Sequence, residues 1–442
     1  MLPTSGALLE MKPPAVPCWR LLLALLVLQS LPVLAHGGLP ETSNVTVRRG
    51  HDEDLLVGAT FGAVVTRDHG QTWNWICPEA MGVGSWRPER YHWMQGGDII
   101  AASGNALVRS RDGGCTWETH PFFKDKGATS LDKHPTDERF LYLATGKYAS
   151  PNGVYRSDDG GETWVPTPLQ REDVVFTALR VAPSDPRRLY VTGQTTSAPL
   201  LFRSDDGGQS WTELPQSLPQ LTRPYDLFLM EVSEASPDVL WARVSAQGYS
   251  YVLKSEDGGA TLSPVLKVAD VIYGMEASAD GRTVWVATPV RLYRSQNGKA
   301  FTVLPLPSGN SCARREGNVL YGCGSSWVHE WALARSSDEG TTWQPLFGLH
   351  DIQAPQLCPA GTPTRDVCTP LWPQLAQTLG LSSAPDGGVP PSPDAGTSEQ
   401  PEQPPASPRD GCSAATGLVP SALLLFALAL ARQTRRRPDP NP

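Results

Sequence analysis

Between residues 40 and 350 short apolar runs rich in Val, Leu, Tyr and Trp alternate with brief polar turns, the pattern of many short antiparallel strands. One unit shows the order. Val174 to Val181 predicts a strand, Pro183-Ser184-Asp185-Pro186 a turn, Arg188 to Thr192 a second strand ending at Gly193, and Leu200 to Arg203 a third. A fourth follows Trp211. The same order recurs around Ala128 to Trp164, Tyr225 to Leu262 and Val271 to Phe301.

Each unit carries one polar hairpin of fixed frame. Ser or Thr is followed by an acidic or amide residue, a Gly position and a large apolar residue, as in Thr66-Arg67-Asp68-His69-Gly70-Gln71-Thr72-Trp73. Close copies run Ser110 to Trp117, Ser157 to Trp164, Ser204 to Trp211 and Ser336 to Trp343. Two copies drift: Ser255 to Leu262 lacks the Trp, and Ser295 to Phe301 has Asn297 for Asp and Lys299 where Gly belongs. The period of roughly 40 to 50 residues is that of propeller blades. Asp68, Asp112, Asp159, Asp206, Asp257 and Asp338 are thus expected to be structural, each accepting hydrogen bonds from the N–H groups of its own turn. The apolar end plugs the neighbouring sheet, worth on the order of 2–3 kcal/mol when fully buried. Asp158-Asp159-Gly160-Gly161 resembles a fragment of a Ca²⁺ loop, but no copy supplies the spaced carboxylates and distal Glu such a loop needs.

These S-x-D-x-G-x-T-W hairpins resemble the Asp-box (BNR) repeat family over about residues 40 to 350. The resemblance implies an all-β fold, a seven-bladed β-propeller of four-stranded antiparallel blades. It leaves activity open, because that family includes sialidases, endoglucanases of the xyloglucanase type, sortilin-like receptors and photosystem II assembly factors. The assembly factors, non-catalytic single propellers, are most similar in layout.

The ends carry different chemistry. In residues 1–35, Lys12 and Arg20 precede the apolar run Leu21 to Leu28, and Val33-Leu34-Ala35 suits signal-peptide cleavage, with Met11 an alternative start to Met1. Residues 351–381 form a Cys-containing extension, and 382–411 a Pro/Ser-rich linker expected to be disordered. Residues 412–437 hold Cys412, the apolar run Ala414 to Ala431 and Arg432, Arg435, Arg436 and Arg437. That tail resembles the myxobacterial C-terminal sorting tail, implying processing near Cys412 and an exported protein at the cell surface or outer membrane, tethered or released.

With 19% charged residues and net charge −8, a nucleic-acid surface is excluded. Six cysteines remain once Cys18 and Cys412 are set aside; among their fifteen pairings, Cys312–Cys323, Cys358–Cys368 and then Cys77–Cys115 are expected. No C-x-x-C pair supports zinc, and neither a cofactor nor a metal is expected.

Aligning the first strand of each unit on the turn after it gives one recurring position: Arg48, Trp93, Asp132, Arg180, Glu231, Glu276 and Arg314. These are expected to form a polar ring around a central channel, with both signs paired across it. A sialidase would need an arginine triad and a Tyr–Glu pair. Arg48, Arg180 and Arg314, with Tyr225 or Tyr273 near Glu231 or Glu276, could mimic one, but the Arg-Ile-Pro start of those enzymes is missing. A xyloglucanase-type hydrolase would draw its two carboxylates from Asp132, Glu231 and Glu276. The expectation is a monomeric, non-catalytic binding or scaffold module for a protein or glycan partner at the cell envelope, reaching the membrane through its tail; the alternative is a glycoside hydrolase.

Overall fold

A computed structural model describes residues 41–381, apart from 84–87, 89, 217, 219, 305–311 and 325–329. The segments expected to be a signal, a linker and a sorting tail with Cys412 lie outside the described residues. The rest is a seven-bladed β-propeller, each blade a meander of four antiparallel strands running outward from the channel. Blade 4 is Val175–Val181, Leu189–Gln194, Pro199–Ser204 and Thr212–Leu214, within one or two residues of the sequence reading. The innermost strands, starting from blade 1, are Thr42–Arg48, Tyr91–Trp93, Ala128–Lys133, Val175–Val181, Tyr225–Val232, Gly274–Ala277 and Cys312–Glu316. Apolar side chains from the facing sheets of adjacent blades form successive cores. Leu56 and Ile76 of blade 1 meet Tyr91, Trp93 and Ile99 of blade 2, for example.

The repeated hairpins show why their residue types recur. In blade 7 the Ser336 hydroxyl donates to Asp338 Oδ1 at 2.8 Å and accepts the Gly340 N–H, also at 2.8 Å. Asp338 also accepts the Thr342 N–H (2.8 Å) and hydroxyl (2.6 Å), while the Trp343 indole N–H donates to the Gly340 carbonyl. The bonds of Asp68 and Asp159 repeat this set. Gly340 sits at φ 82°, in the left-handed region open to glycine. Blade 6 is the exception: Asn297 Oδ1 accepts only the Ser295 hydroxyl and the Lys299 and Ala300 N–H groups.

Blade 1 begins at Thr42, whose hydroxyl donates to Ala332 O of blade 7 at 2.7 Å. After blade 7 the chain adds Ile352–Pro355 as a fifth strand on the outer edge of blade 1, parallel to Trp73–Ile76. Helix Pro363–Thr378 then packs Leu371, Trp372 and Leu375 against the blade 1 core. Cys312–Cys323 is bonded as expected, between directly opposed residues of neighbouring strands. The other two expected pairings are corrected: Cys77 bonds Cys368 and Cys115 bonds Cys358. The added strand carries the extension along the rim of blade 1, so each of its cysteines reaches a different blade rather than the other.

Candidate functional site

The innermost strands surround a channel of about 770 Å³. Its polar side chains hold neighbouring blades together. Thr46 donates to the Tyr91 carbonyl at 2.8 Å, joining blades 1 and 2. His92 Nε2 lies 2.9 Å from the Leu131 carbonyl, which assigns that nitrogen the proton. Burial, with Lys133 nearby, pushes the His92 pKa down to about 3, so the ring is neutral. Asp132 accepts the N–H groups of Val181 and Lys133, both at 2.9 Å, linking blades 3 and 4. Arg180, 2% exposed, donates to the carbonyls of Met230 (3.0 Å) and Leu179 (2.8 Å).

Charged pairs occupy the rest of the bore. Arg90 of blade 2 bonds Glu231 of blade 5 at 3.1 Å, spanning non-adjacent blades. Glu276 accepts the Arg315 N–H at 3.0 Å, and Arg314 Nη1 lies 3.4 Å from it. Burial raises the pKa of Glu276 above its ordinary 4.5, the Arg314 cation opposes this, and the Glu231 charge adds to the rise. At the far mouth Arg315 is paired with Glu234, and Lys133 with Glu138 at 2.7 Å.

Of the aligned position, Trp93, Asp132, Arg180, Glu231, Glu276 and Arg314 line the channel. Arg48 does not: it pairs with Asp54 at 2.9 Å and opens onto a separate cleft with Arg67 and Arg111. Trp93 borders the channel, but its ring is buried in the seam of blades 1 and 2, with its indole N–H on Gly97 O. With Arg48 elsewhere and Arg180 committed to carbonyls, the three arginines do not form a triad. Tyr225 and Tyr273 are 58% and 55% exposed, and among the described residues neither bonds Glu231 or Glu276. Sequence reading missed Arg90, His92 and Arg315. His92 and Arg315 sit one residue from the aligned position, and Arg90 precedes its strand. Away from the channel, Asp52, Glu53 and His69 bring ligand atoms within 4.8 Å of one another, but Glu53 is already engaged by His51.

The family model described as Sortilin, neurotensin receptor 3, matches residues 105–223, well under half of the chain. No curated protein matches the sequence. Solved structures that it is similar to include YCF48 from Cyanidioschyzon merolae (15% identity, 65% of this chain, 93% of that chain, TM-score 0.46). An ancestral GH74 enzyme is 11% identical (70% of this chain, 54% of that chain, TM-score 0.49). The extracellular domain of BT4673 from B. thetaiotaomicron is also 11% identical (68% of this chain, 38% of that chain, TM-score 0.48). Such neighbours include binding proteins and enzymes alike, and at these identities they decide nothing about ligand or chemistry. Fold and site together define a seven-bladed propeller with a charge-paired channel.

Proposed function

We propose that the chain is a non-catalytic binding or scaffold module for a protein or glycan partner, exported and held at the cell surface by its tail. One observation carries this reading: the channel carboxylates are already committed. Asp132 holds two main-chain N–H groups, Glu231 is held by Arg90, and Glu276 takes the Arg315 N–H beside Arg314. A glycosidase needs one carboxyl poised to protonate the leaving oxygen and a second to attack or to activate water. Three disulfides suggest an oxidising, extracellular compartment, in keeping with export. No helix among the described residues is long and apolar enough to cross a membrane.

A second reading, glycoside hydrolysis, draws on Glu276, a buried carboxyl with raised pKa beside Glu231, the pairing that separates an acid from a base. A panel of polysaccharides incubated with the wild type and with the Asp132→Asn/Glu231→Gln/Glu276→Gln variant separates the two. The binding reading expects no turnover by either protein. Cleavage by the wild type that disappears in the variant would replace it with the enzyme.

A further inference from the structure

The two faces of the propeller differ in what they expose. Antiparallel pairing puts the acidic hairpins and the turns after each innermost strand on one face. The other face carries the turns between second and third strands and the links from blade to blade. Of eleven exposed large apolar side chains among the described residues, seven lie in those turns and links or at the first residue of a strand that leaves them. They include Phe122, Tyr148, Tyr225, Tyr249 and Tyr273, on an arc from the link between blades 2 and 3 round to blade 6. By the same measure the acidic-hairpin face has one, Val165, the first residue of the strand leaving the Ser157–Trp164 hairpin. Tyr273 also borders the channel, so the arc runs up to its mouth.

Two further observations fall on the same arc. Among the described residues, five of the seven non-glycine residues with positive φ are there: Asp125 (60°), Ala149 (54°), Arg223 (51°), Asp226 (59°) and Gln247 (53°). Gln247 and Gly248 form the two-residue hairpin between Ala246 and Tyr249 that requires positive φ, while Ala149 and Arg223 hold it without such a turn, a strain that gathers at shaped surfaces. The charge is also unbalanced. Lys124, Lys126, Lys147, Arg223 and Lys267 form no ion pair among the described residues, against three unpaired carboxylates, Glu118, Asp125 and Glu172, while Arg291 and Asp270 attract each other. This excess of cations stands out on a chain whose net charge is −8. Lys126 lies 3.6 Å from the centre of the Phe122 ring and Lys267 3.8 Å from that of Tyr249, so cation and aromatic surface are presented together.

Building on the binding-module reading, we infer that this arc is the docking face for a protein segment bearing carboxylates beside apolar side chains. Tyr and Arg are enriched among the residues that anchor protein interfaces, Tyr because its rigid ring offers large contact area at low entropic cost. Unpaired cations at their edges select an acidic partner and speed its approach.

The test uses the folded protein and an array of synthetic 12-residue peptides, acidic-apolar, neutral-apolar and basic-apolar, beside an array of neutral oligosaccharides. Three variants are compared: Tyr148→Ala/Tyr225→Ala/Tyr273→Ala, Lys126→Glu/Arg223→Glu/Lys267→Glu, and Arg187→Glu/Arg282→Glu on the opposite face. Unchanged thermal melting checks that each is folded. The expected result is retention of acidic-apolar peptides, weakened at least tenfold by either arc variant, unchanged in the opposite-face variant, and weakened by salt. Retention of acidic peptides that survives both arc variants overturns this face while leaving a binding module. Retention of oligosaccharides alone, or of neutral or basic peptides in preference, overturns the partner class. No retention at all, or cleavage of a sugar, overturns the underlying reading as well.

Discussion

Cys77 and Cys368 are bonded across 291 positions of sequence, with their Cα atoms 5.4 Å apart, so the last helix is fastened to the first blade. The bond lies beside the added strand Ile352–Pro355 and beneath Trp75, which packs against Trp372 of the helix at 6.0 Å. Blades 1 and 7 meet at a seam with no shared four-stranded sheet. The extension reinforces that seam from outside.

Removing this bond is expected to cost stability well beyond a local contact. The Cys77→Ser/Cys368→Ser variant should lose about 3–4 kcal/mol in equilibrium denaturation, since with Cys115–Cys358 still closed the bond shuts a ring of roughly 50 residues. Non-reducing digestion should recover the peptide of Cys77 joined to that of Cys368. Recovery of Cys358 joined to Cys368 would refute the arrangement.

How much of this was legible in sequence depends on distance along the chain. The hairpins were legible because Ser336, Asp338, Gly340 and Thr342 satisfy one another within seven residues. Cys312–Cys323 was legible for the same reason, spanning one strand pair. Cys358 and Cys368 are close in sequence and invited pairing, but Thr364 inside that span bonds Gly114 O of blade 2 while Cys368 turns into the core of blade 1. Ile352–Pro355 has no hairpin partner and no alternation to mark it as a strand. Arg90 was hidden for another reason: its partner Glu231 lies across the ring, a relation that only closure of seven blades creates.

Acid should loosen the hairpins together. Hydrogen bonds from the Ser210 hydroxyl, opposed by slight burial and joined by the Ser210 N–H, hold Asp206 down to about 2. The Thr342 hydroxyl and N–H do the same for Asp338. A carboxylate whose folded pKa is depressed stabilises the fold above its unfolded value, here 3.8, and that contribution disappears as pH falls through about 2. Circular dichroism from pH 5 to pH 1.5 should show a cooperative loss of structure in that interval. Blade 6, with Asn297 in place of the acid, contributes nothing to it, so Asn297→Asp should steepen the transition.

Trp73 is 1% exposed and its ring centroid lies 4.6 Å from that of Phe347, in the last strand of blade 7. Trp73 also begins the strand that pairs with Ile352. Trp73→Ala should therefore cost about 3–5 kcal/mol through the cavity it leaves. The equivalent position of blade 5 is already Leu262, 5% exposed, so Trp73→Leu should retain more stability than Trp73→Ala. Urea denaturation of both variants measures the difference, and equal losses would contradict the packing argument.

Glu276 gives the channel its own pH dependence, opposite in sign to that of the hairpins. Its folded pKa is raised, first by burial and then by Glu231, while Arg314 and the Arg315 N–H work against the rise. The folded state therefore binds a proton that the unfolded state releases near 4.5, and stability falls as pH rises from there through the folded value. Glu276→Gln keeps a carbonyl oxygen for the Arg315 N–H and removes the charge. The variant should be at least as stable as the wild type at pH 8 and should lose the decline between pH 5 and pH 8 in denaturant titrations. Glu231→Gln, by removing the neighbouring charge, should shift that decline to lower pH. A Glu276→Gln protein less stable than the wild type at pH 8 would mean that Arg314 and the Arg315 N–H outweigh burial and keep the carboxylate ionised.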